Sequence, residues 1–387
     1  MTGRSKGATQ PRFLLTFLAW AGGLAGGDRH LLEAASHWKD HVEVAVIAPP
    51  EAAPMIRSFL GEVRFHPRGS AGPRVATRGP LLALEYIRRA VGVSVRPPST
   101  PDVVVAASHF FPDASALWAL GRRGAIGVGY VYHLVAGRER NDLRTIWSKA
   151  DEQIGLRLLR SCADLVFVSN RRTEAALSAR GFAPHRTDVG VDLDQFRGAP
   201  RNRRASTALF LARMVESKGV LDAVDAWARV QKFAPNAKLV MAGDGPLREA
   251  GIQRARRLGV SDAIEWPGFV SEELKRRLLG ESTLLLAPSY EEGWGISIAE
   301  ALATELPVVG YRLPELDELF PSAYVSVEPG DVQGLAAAAA RVMSDKPKAQ
   351  AMTDRGLKVI ERYDISHVAE LELEKIVCAL SAKRRTA

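Results

Sequence analysis

Two glutamates eight residues apart lie where the sequence predicts a strand-to-helix loop. In the segment Pro288–Pro307 (PSYEEGWGISIAEALATELP), Glu292 precedes a predicted helix that contains Glu300. Carboxylates at a fixed spacing suit the recognition of sugar hydroxyls, because each accepts more than one hydrogen bond. The glycines of the loop allow close approach to a ligand, and the N–H groups of a helix start favour anionic groups. Acids at a helix start also act as caps, and for this pair alone that alternative stays open.

Two cations follow an earlier predicted strand, in the segment Leu209–Gly219 (LFLARMVESKG). Arg213 lies in the loop, and Lys218 comes just before a helix predicted to begin near Val220. Cations beside a helix start indicate a pyrophosphate site, because they neutralise the charge of a leaving diphosphate. The alternative is a pair of solvated surface charges.

Together these segments resemble the retaining glycosyltransferases of family 4, which have the GT-B architecture. Glu292 and Glu300 match the family's E-x7-E signature, within the frame P-S-x-x-E-G-x-G…E-A…P-V-V. The resemblance implies that Glu292 contacts the transferred sugar and Glu300 holds the ribose hydroxyls of the donor. It also implies that Arg213 and Lys218 bind the donor diphosphate. Four loop residues would meet the sugar and phosphates through their backbone: Gly293, Trp294, Gly295 and Ile296.

Weaker landmarks extend the resemblance along the second half of the chain. The turn Gly243–Pro246 (GDGP) resembles the family's turn after the next strand, so Gly243 is assigned to the donor site. The segment Ile264–Val270 (IEWPGFV) resembles the one whose last residues, here Phe269 and Val270, line the nucleobase pocket. Glycine-rich turns after strands are also ordinary loop structure, which is the alternative for each.

In the N-terminal half the resemblance rests on fewer residues. Gly26 and Gly27 open a predicted helix after the first strand, as in the family's early Gly-Gly loop, where they would approach a phosphate or the acceptor. The pair Gly22–Gly23 competes for that role. His133 ends a predicted strand and matches a family position near the transferred sugar. A histidine that is simply hydrogen-bonded at a strand end is the alternative.

Two positions depart from the family pattern. Glu305 replaces the glycine that precedes the Pro-Val-Val strand, which predicts a changed local turn. The Gly-Gly that usually follows this strand is Pro314–Glu315 here. Because proline supplies no N–H, a contact from that loop to the donor phosphates is in doubt.

Short apolar runs alternate with segments of helical period, which is the βαβα pattern of parallel sheets. Strands are predicted at Phe13–Ala19, Val42–Ala48, Val103–Ala107, Gly127–Tyr132, Leu165–Ser169, Ala208–Ala212, Lys238–Ala242, Ala263–Trp266, Leu284–Ala287 and Val308–Gly310. With the resemblance, this pattern predicts an α/β protein of GT-B type. Two Rossmann-like, doubly wound parallel-sheet domains would face a central cleft, with ligands at the carboxyl ends of their strands.

The polar, basic stretch 198–206 (GAPRNRRAS) is predicted to link the two domains. Residues 1–197 would then form the acceptor-binding domain and residues 207–387 the donor-binding domain. A helix interrupted near Tyr363–Ser366 ends the chain, and its last part is expected to pack back on the N-terminal domain.

Composition and charge limit the class of protein. With 47% apolar and 25% charged residues among 387, the chain is typical of a globular protein. Its net charge of +8 is concentrated in residues 1–195, which hold 25 Lys and Arg against 18 Asp and Glu. This excess indicates either an anionic partner or a solvated basic face. Nucleic acid is not among the predicted partners.

Location is predicted from the cysteines and the N-terminus. Cys162 and Cys378 are far apart and match no metal or redox spacing, which favours free thiols in a reducing cytoplasm. The apolar run Phe13–Trp20 is interpreted as a buried strand rather than a secretory signal, because it leads directly into a glycine-rich loop. A second hypothesis is peripheral contact with an anionic membrane. It rests on an arginine-rich stretch from Arg57 to Arg96 and on apolar residues within it: Leu81, Leu82, Leu84 and Ile87. A core helix with solvated arginines is the alternative.

The predicted function is a retaining glycosyltransferase of the hexosyltransferase type. It would transfer a sugar from a nucleoside-diphosphate sugar to the hydroxyl of a lipid, a glycan or a small natural product. His133, Arg213, Lys218 and Glu292 are the predicted catalytic residues. No cofactor or metal is expected, because the sequence lacks a D-x-D-type acidic cluster and the cations would take its place. The alternatives are a noncatalytic sugar-nucleotide-binding subunit, or another GT-B enzyme such as an epimerase or a phosphorylase. A dinucleotide-dependent oxidoreductase is disfavoured, because the first strand turn lacks G-x-G-x-x-G.

Overall fold

The chain divides into two compact units. A computed structural model describes residues 10–20, 24–69, 80–95, 100–134, 143–197, 202–204 and 206–386. The first unit comprises Met1–Gly190 with Ile365–Ala387, and the second comprises Val191–Asp364. The division thus falls just after Gly190 rather than within the stretch 198–206.

The first unit is built on a parallel sheet. Its strands are β1 Arg12–Thr16, β2 Glu43–Ala48, β3 Arg64–Pro67, β4 Val103–Ala106, β5 Ile126–Val131, β6 Leu165–Val168 and β7 His185–Arg186. In the described residues these seven strands follow the order β3-β2-β1-β4-β5-β6-β7. Its helices are α1 Gly26–Trp38, α2 Ala53–Leu60, α3 Pro80–Val95, α4 Phe111–Gly121, α5 Leu143–Cys162 and α6 Arg171–Ser178. The order reverses between β1 and β4, as in doubly wound folds.

Alternating residues of the central strands are buried on opposite faces of this sheet. Phe13 and Leu15 join one apolar cluster, whereas Leu14 joins the other. In β4, Val103 and Val104 divide in the same way. A strand that is covered by helices on both faces has no polar side, which is why its sequence is a continuous apolar run.

The second unit repeats the architecture with its own core. Its strands are β8 Thr207–Leu211, β9 Lys238–Ala242, β10 Ile264–Gly268, β11 Leu284–Ala287, β12 Val308–Tyr311 and β13 Val325–Val327. The described sheet has the order β10-β9-β8-β11-β12-β13 and reverses between β8 and β11. Its helices are α7 Leu193–Arg197, α8 Val220–Val230, α9 Arg248–Arg257, α10 Glu272–Glu281, α11 Ile296–Ala303, α12 Pro314–Leu319, α13 Val332–Ser344 and α14 Lys346–Ile360. The predicted pair of Rossmann-like parallel-sheet domains is therefore confirmed.

The last helix, α15 Ile365–Thr386, belongs to the first unit. The Trp38 indole N–H donates to the Ala369 carbonyl at 2.9 Å, and His30 Nε2 lies 3.1 Å from Glu372 Oε1. Because the Gly190 N–H donates to His30 Nδ1, the His30 proton is on Nε2 and points to Glu372. These bonds anchor α15 on α1.

The turn after α11 keeps the conformation of a glycine turn. Glu305 has φ +55, in the left-handed region. Its N–H donates to Leu302 and the Leu306 N–H donates to Ala301, which is the Schellman arrangement that closes a helix. These two bonds hold Glu305 in a backbone conformation that glycine usually adopts at a helix end. A non-glycine residue in this conformation costs roughly 1 kcal/mol.

Candidate functional site

The predicted donor residues follow four neighbouring strands of the second unit. Arg213 and Lys218 come after β8, Gly243 after β9, Phe269 after β10, and Glu292 after β11. These strands are parallel, so their carboxyl ends meet at one edge of the sheet. Ligands of doubly wound sheets bind at this edge.

The loops after β8 and β11 are in direct backbone contact. Gly219 has φ +65, and a Cβ at this position would lie 2.0 Å from the Pro288 carbonyl oxygen. The Tyr290 N–H donates to the Ser217 carbonyl at 2.8 Å. Only glycine allows this approach, because any side chain would force the two loops apart.

An ion pair joins the two loops. Lys218 Nζ lies 2.7 Å from Glu292 Oε1, and the two side chains are only 15% and 13% exposed. The lysine also donates to the Glu291 carbonyl at 3.1 Å, and Ser289 Oγ donates to Glu292 Oε1 at 2.8 Å. The structure thus brings together a lysine and a carboxylate that the sequence analysis assigned, from separate motifs, to the donor diphosphate and to the sugar. Ser289 was missed, although it stands in the same P-S-x-x-E motif.

Arg213 is exposed, and its guanidinium has no partner among the described residues. The adjacent backbone is fixed from the β9 loop: the Met214 N–H donates to Asp244 at 2.8 Å, and the Leu247 N–H donates to Met214 at 3.0 Å. The guanidinium is therefore placed by an ordered loop and is available to an anion.

Gly243 supports the Arg213 loop. It has φ +133, and a Cβ there would lie 1.9 Å from the Ala212 carbonyl oxygen. Gly245, with φ +153, approaches the Met214 carbonyl in the same way. The G-D-G turn therefore needs its glycines in order to pack on the segment that carries Arg213. This packing accounts for the glycines without a ligand contact.

Glu300 lies in α11, where it is only 2% exposed. Its Oε1 is 2.5 Å from Nζ of Lys275, a buried lysine of α10 that the sequence analysis missed. The ammonium of Lys275 also lies 2.7 Å from Glu272 Oε2. The sequence analysis could have found Lys275 only as a possible opposite charge for Glu300 on another predicted helix. The E-x7-E motif does not include this residue.

At the start of α11, the backbone of Trp294 and Gly295 could contact a ligand, whereas the Trp294 side chain packs in the protein interior. Gly295 is the N-cap with φ +89, and a Cβ there would meet Leu316 at 2.8 Å. The Trp294 side chain is buried edge-on against Phe320 and Tyr363, at centroid distances of 5.4 and 5.0 Å. Trp294 can therefore contribute to a donor site through its backbone only. Gly293 and Ile296, on either side, are half-buried.

The predicted nucleobase residues follow β10. Phe269 is 82% exposed, and Val270 is half-buried. An exposed aromatic ring at the ligand edge of the sheet is a surface on which a base can stack. The structure therefore leaves the predicted nucleobase role available to Phe269.

A tyrosine pair anchors the loop after β11, which carries Tyr290 and Glu292. The hydroxyls of Tyr290 and Tyr311 donate to the same oxygen of Asp222, at 2.5 and 2.6 Å. Burial and the Asp222 carboxylate raise the pKa of Tyr290 to about 12, so this hydroxyl stays a donor at neutral pH.

Pro314, which stands where the family has a glycine pair, occupies the first position of α12. The missing N–H costs no helical hydrogen bond there.

In the first unit, Gly27 packs against an aromatic ring. A Cβ on Gly27 would lie 2.4 Å from the Tyr132 ring, and the Tyr132 hydroxyl donates to the Gly27 carbonyl at 3.2 Å. Gly26 and His133 are exposed at the ends of their elements, and Gly22–Gly23 lies outside the described residues. Ring packing therefore accounts for Gly27 without a ligand.

A buried carboxylate supports the loop between β1 and α1. Asp113 accepts hydrogen bonds from the Thr16 hydroxyl at 2.9 Å, the Leu18 N–H at 2.6 Å and the Ser108 hydroxyl at 2.7 Å. Burial raises its pKa to about 6. Burial and the charge of Asp113 raise the pKa of Asp28 to about 7. The sequence analysis singled out neither carboxylate, because no motif marks them.

Within the part of the chain that the structure describes, no group of three or more His, Cys, Asp or Glu side chains is placed to hold a metal ion.

Comparisons with known proteins identify a glycosyltransferase family that matches much of the second unit. Residues 193–359 match the family described as "Glycosyl transferases group 1". This match covers the loops of Arg213, Lys218, Glu292 and Glu300. The predicted resemblance to glycosyltransferases is therefore supported over residues 193–359.

Curated relatives match over part of the chain. The chain is 32% identical over 165 residues to a glycogen synthase of Mycobacterium tuberculosis, covering 42% of this chain and 40% of that protein. It is 22% identical over 259 residues to a GDP-mannose:cellobiosyl-diphosphopolyprenol alpha-mannosyltransferase of Xanthomonas campestris, covering 62% and 66%. The chain therefore spans less than half the length of the glycogen synthase.

Solved structures match over nearly the whole chain. The Anabaena protein HepE, solved in complex with UDP and glucose, superimposes with a TM-score of 0.76 at 16% identity, covering 95% of this chain and 100% of that one. A sucrose-phosphate synthase from Thermosynechococcus elongatus gives a TM-score of 0.72 at 17% identity, covering 96% and 100%. These matches confirm the GT-B fold.

Proposed function

We propose that this chain is a retaining glycosyltransferase that moves a sugar from a nucleoside-diphosphate sugar to an acceptor hydroxyl. The observation that carries the proposal is the Lys218–Glu292 pair at 2.7 Å on two touching loops. A cation beside a carboxylate supports the proposal, because such a donor presents a diphosphate next to a sugar. The exposed Arg213 guanidinium adds a second cation.

In the proposed reaction, the bond between the sugar C1 and the diphosphate breaks and a bond from C1 to the acceptor oxygen forms on the same face. The acceptor proton passes to the departing diphosphate, so no enzyme nucleophile is assigned. Arg213 and Lys218 stabilise the charge that grows on the diphosphate, in place of a metal ion. Glu292 accepts hydrogen bonds from the sugar, and Glu300 from the ribose.

We assign donor binding to the second unit and acceptor binding to the first. His133, two residues after β5, is proposed as a contact of the transferred sugar. The name of the Xanthomonas relative, a transferase that acts on a lipid-linked diphosphate acceptor, supports a hydroxyl-bearing glycan among the candidate acceptors. The cytoplasmic location stays a prediction from the two cysteines.

A thermal-shift screen against UDP-, GDP-, ADP- and TDP-sugars tests donor binding. One nucleotide class at 100 times its Kd is expected to add about 2.7 kcal/mol of stability, because it binds only the folded chain. Arg213→Ala and Glu300→Ala should remove this gain. Arg256→Ala, which deletes an exposed arginine of α9, should keep it.

Two results would count against the proposal. If the folded protein is stabilised by no nucleotide sugar, the donor site is absent. If a donor binds but is never turned over with any glycan or lipid acceptor, the noncatalytic subunit is the better interpretation.

A membrane contact is the second part of the proposal. Leu84, Ile87 and Val91 are 64%, 51% and 52% exposed at spacings of three and four residues, which places them on one face of α3. Arg88 is exposed beside them. We propose that this face lies on an anionic lipid surface. The side chains of Leu81 and Leu82 lie outside the described residues, and no described helix is long and apolar enough to cross a membrane.

Co-sedimentation with phosphatidylglycerol vesicles at low salt tests this contact. The variant Leu84→Ser, Ile87→Ser, Val91→Ser should lower the bound fraction about tenfold, because three apolar side chains no longer enter the interface. Phe233→Ser, which changes a 79% exposed residue of the second unit, should have no effect. Equal binding of the triple variant, or no binding of the unaltered chain, would refute the contact.

A further inference from the structure

A buried lysine stands directly behind the carboxylate assigned to the donor ribose. Lys275 is 7% exposed, and its Nζ lies 2.5 Å from Oε1 of Glu300. The two residues are 25 positions apart, on α10 and α11. A lysine is rarely this buried without a specific partner. Its place therefore requires an explanation that the sequence motif does not supply.

The pair solves a physical problem for Glu300. A carboxylate removed from water is costly to keep ionised unless an opposite charge lies close to it. Lys275 supplies this charge and occupies one of the two oxygens. A carboxylate has about four lone-pair positions, and the lysine bond takes one of them. The ammonium thus fixes the orientation of Glu300 through a single acceptor position.

Lys275 is itself held in place. A second hydrogen of its ammonium points to Glu272 Oε2, at 2.7 Å, from the first turn of the same helix. The side chain of Glu272 is 47% exposed, so this contact ties the lysine to the rim of the unit. The Lys275 ammonium therefore binds two carboxylates, those of Glu272 and Glu300, and these two contacts fix the orientation of its side chain.

The two helices are also fastened to each other. Arg203 donates to the Ser282 carbonyl at the end of α10. It also donates to the Thr304 and Glu305 carbonyls at the end of α11, at 3.0 and 2.8 Å. The Arg203 guanidinium thus donates hydrogen bonds to carbonyls at the C-terminal ends of both α10 and α11. The spacing of Lys275 and Glu300 is consequently a property of the fold and not of two mobile side chains.

We propose that Lys275 is a positioning residue for donor recognition. It holds Glu300 in one orientation, so that Glu300 reads the ribose hydroxyls and the site prefers ribonucleoside over 2′-deoxyribonucleoside diphosphates. This inference rests on the proposed function, because it needs a nucleotide at this site. It adds a residue on a different helix and a selectivity that the donor motif does not specify.

The test compares the Kd of UDP, GDP and ADP with those of dUDP, dGDP and dADP by calorimetry. The unaltered chain should bind its preferred ribonucleotide at least tenfold more tightly than the deoxy form, because a hydrogen bond to a charged group is lost in the latter. Lys275→Met should weaken the ribonucleotide about tenfold and the deoxy form less than twofold. Lys275→Arg should keep most of the selectivity, and Arg277→Met, an exposed control on the same helix, should keep all of it.

A double-mutant cycle separates positioning from stability. Glu300→Gln should abolish the selectivity, and Lys275→Met added to Glu300→Gln should change the ribo-to-deoxy ratio no further. The double variant carries no unpaired buried charge, so it also serves if Lys275→Met alone does not fold. Equal weakening of both nucleotides by Lys275→Met, or an unchanged ratio, would overturn the proposal. If the unaltered chain binds none of the six nucleotides, the proposed function fails instead.

Discussion

Replacing Lys218 with methionine is expected to lower the kcat/KM of sugar transfer by about 10²- to 10³-fold. Methionine keeps a long apolar stem and removes only the ammonium. In the structure the ammonium lies 2.7 Å from Glu292 and 3.1 Å from the Glu291 carbonyl. When a diphosphate binds, the Lys218 ammonium can leave the Glu292 carboxylate and pair with the phosphate, because the phosphate carries the larger charge. The variant loses the charge stabilisation that grows as the diphosphate leaves.

The measurement is an initial rate with the donor identified by thermal shift, together with a melting temperature for each variant. Lys232→Met removes an exposed lysine of the same unit and should leave the rate unchanged. The effect should appear in kcat as well as in KM, because the interaction strengthens toward the transition state. A loss below threefold in a folded variant would place the diphosphate elsewhere.

The strands that the sequence predicts are those of the interior of the two described sheets, together with β10 at one edge. All residues of β4 and β5 are buried, so their apolar runs are unmistakable. The strands that were missed are short and lie at or beside the sheet edges. β7 consists of two exposed residues, His185 and Arg186, and its pairing with β6 depends on tertiary position rather than on composition.

The residues of the site likewise divide into those that local sequence predicts and those that depend on tertiary position. Arg213, Lys218, Glu292 and Glu300 follow strand ends within recognisable motifs, so the sequence alone predicts them. Lys275 meets Glu300 through the tertiary arrangement of α10 and α11, and no spacing along the chain encodes that contact. The structure also accounts for Gly27 and Gly243 by close packing, which a sequence cannot distinguish from ligand approach.

Among the glycines of the two loops that carry Lys218 and Glu292, Gly219 is where a single methyl group should do the most damage. A Cβ on Gly219 would lie 2.0 Å from the Pro288 oxygen, a backbone atom that cannot rotate away. We expect Gly219→Ala to destabilise the second unit by about 3 kcal/mol or more, from the left-handed conformation together with the forced separation of the loops. The same separation pulls Lys218 from Glu292, so donor affinity should fall more than tenfold even in the folded fraction.

Gly259→Ala is the matched control. Gly259 has nearly the same backbone conformation, with φ +71, but a Cβ there meets nothing within 4 Å. This variant should cost only about 1 kcal/mol and leave donor binding intact. Calorimetric melting of both variants, with and without the donor, isolates the close approach from the backbone conformation. Equal costs for the two alanines would show that the contact between the two loops is loose and that the lysine–carboxylate pair does not depend on it. A larger cost and a loss of binding at Gly219 alone would show that this backbone contact holds the two halves of the donor site together.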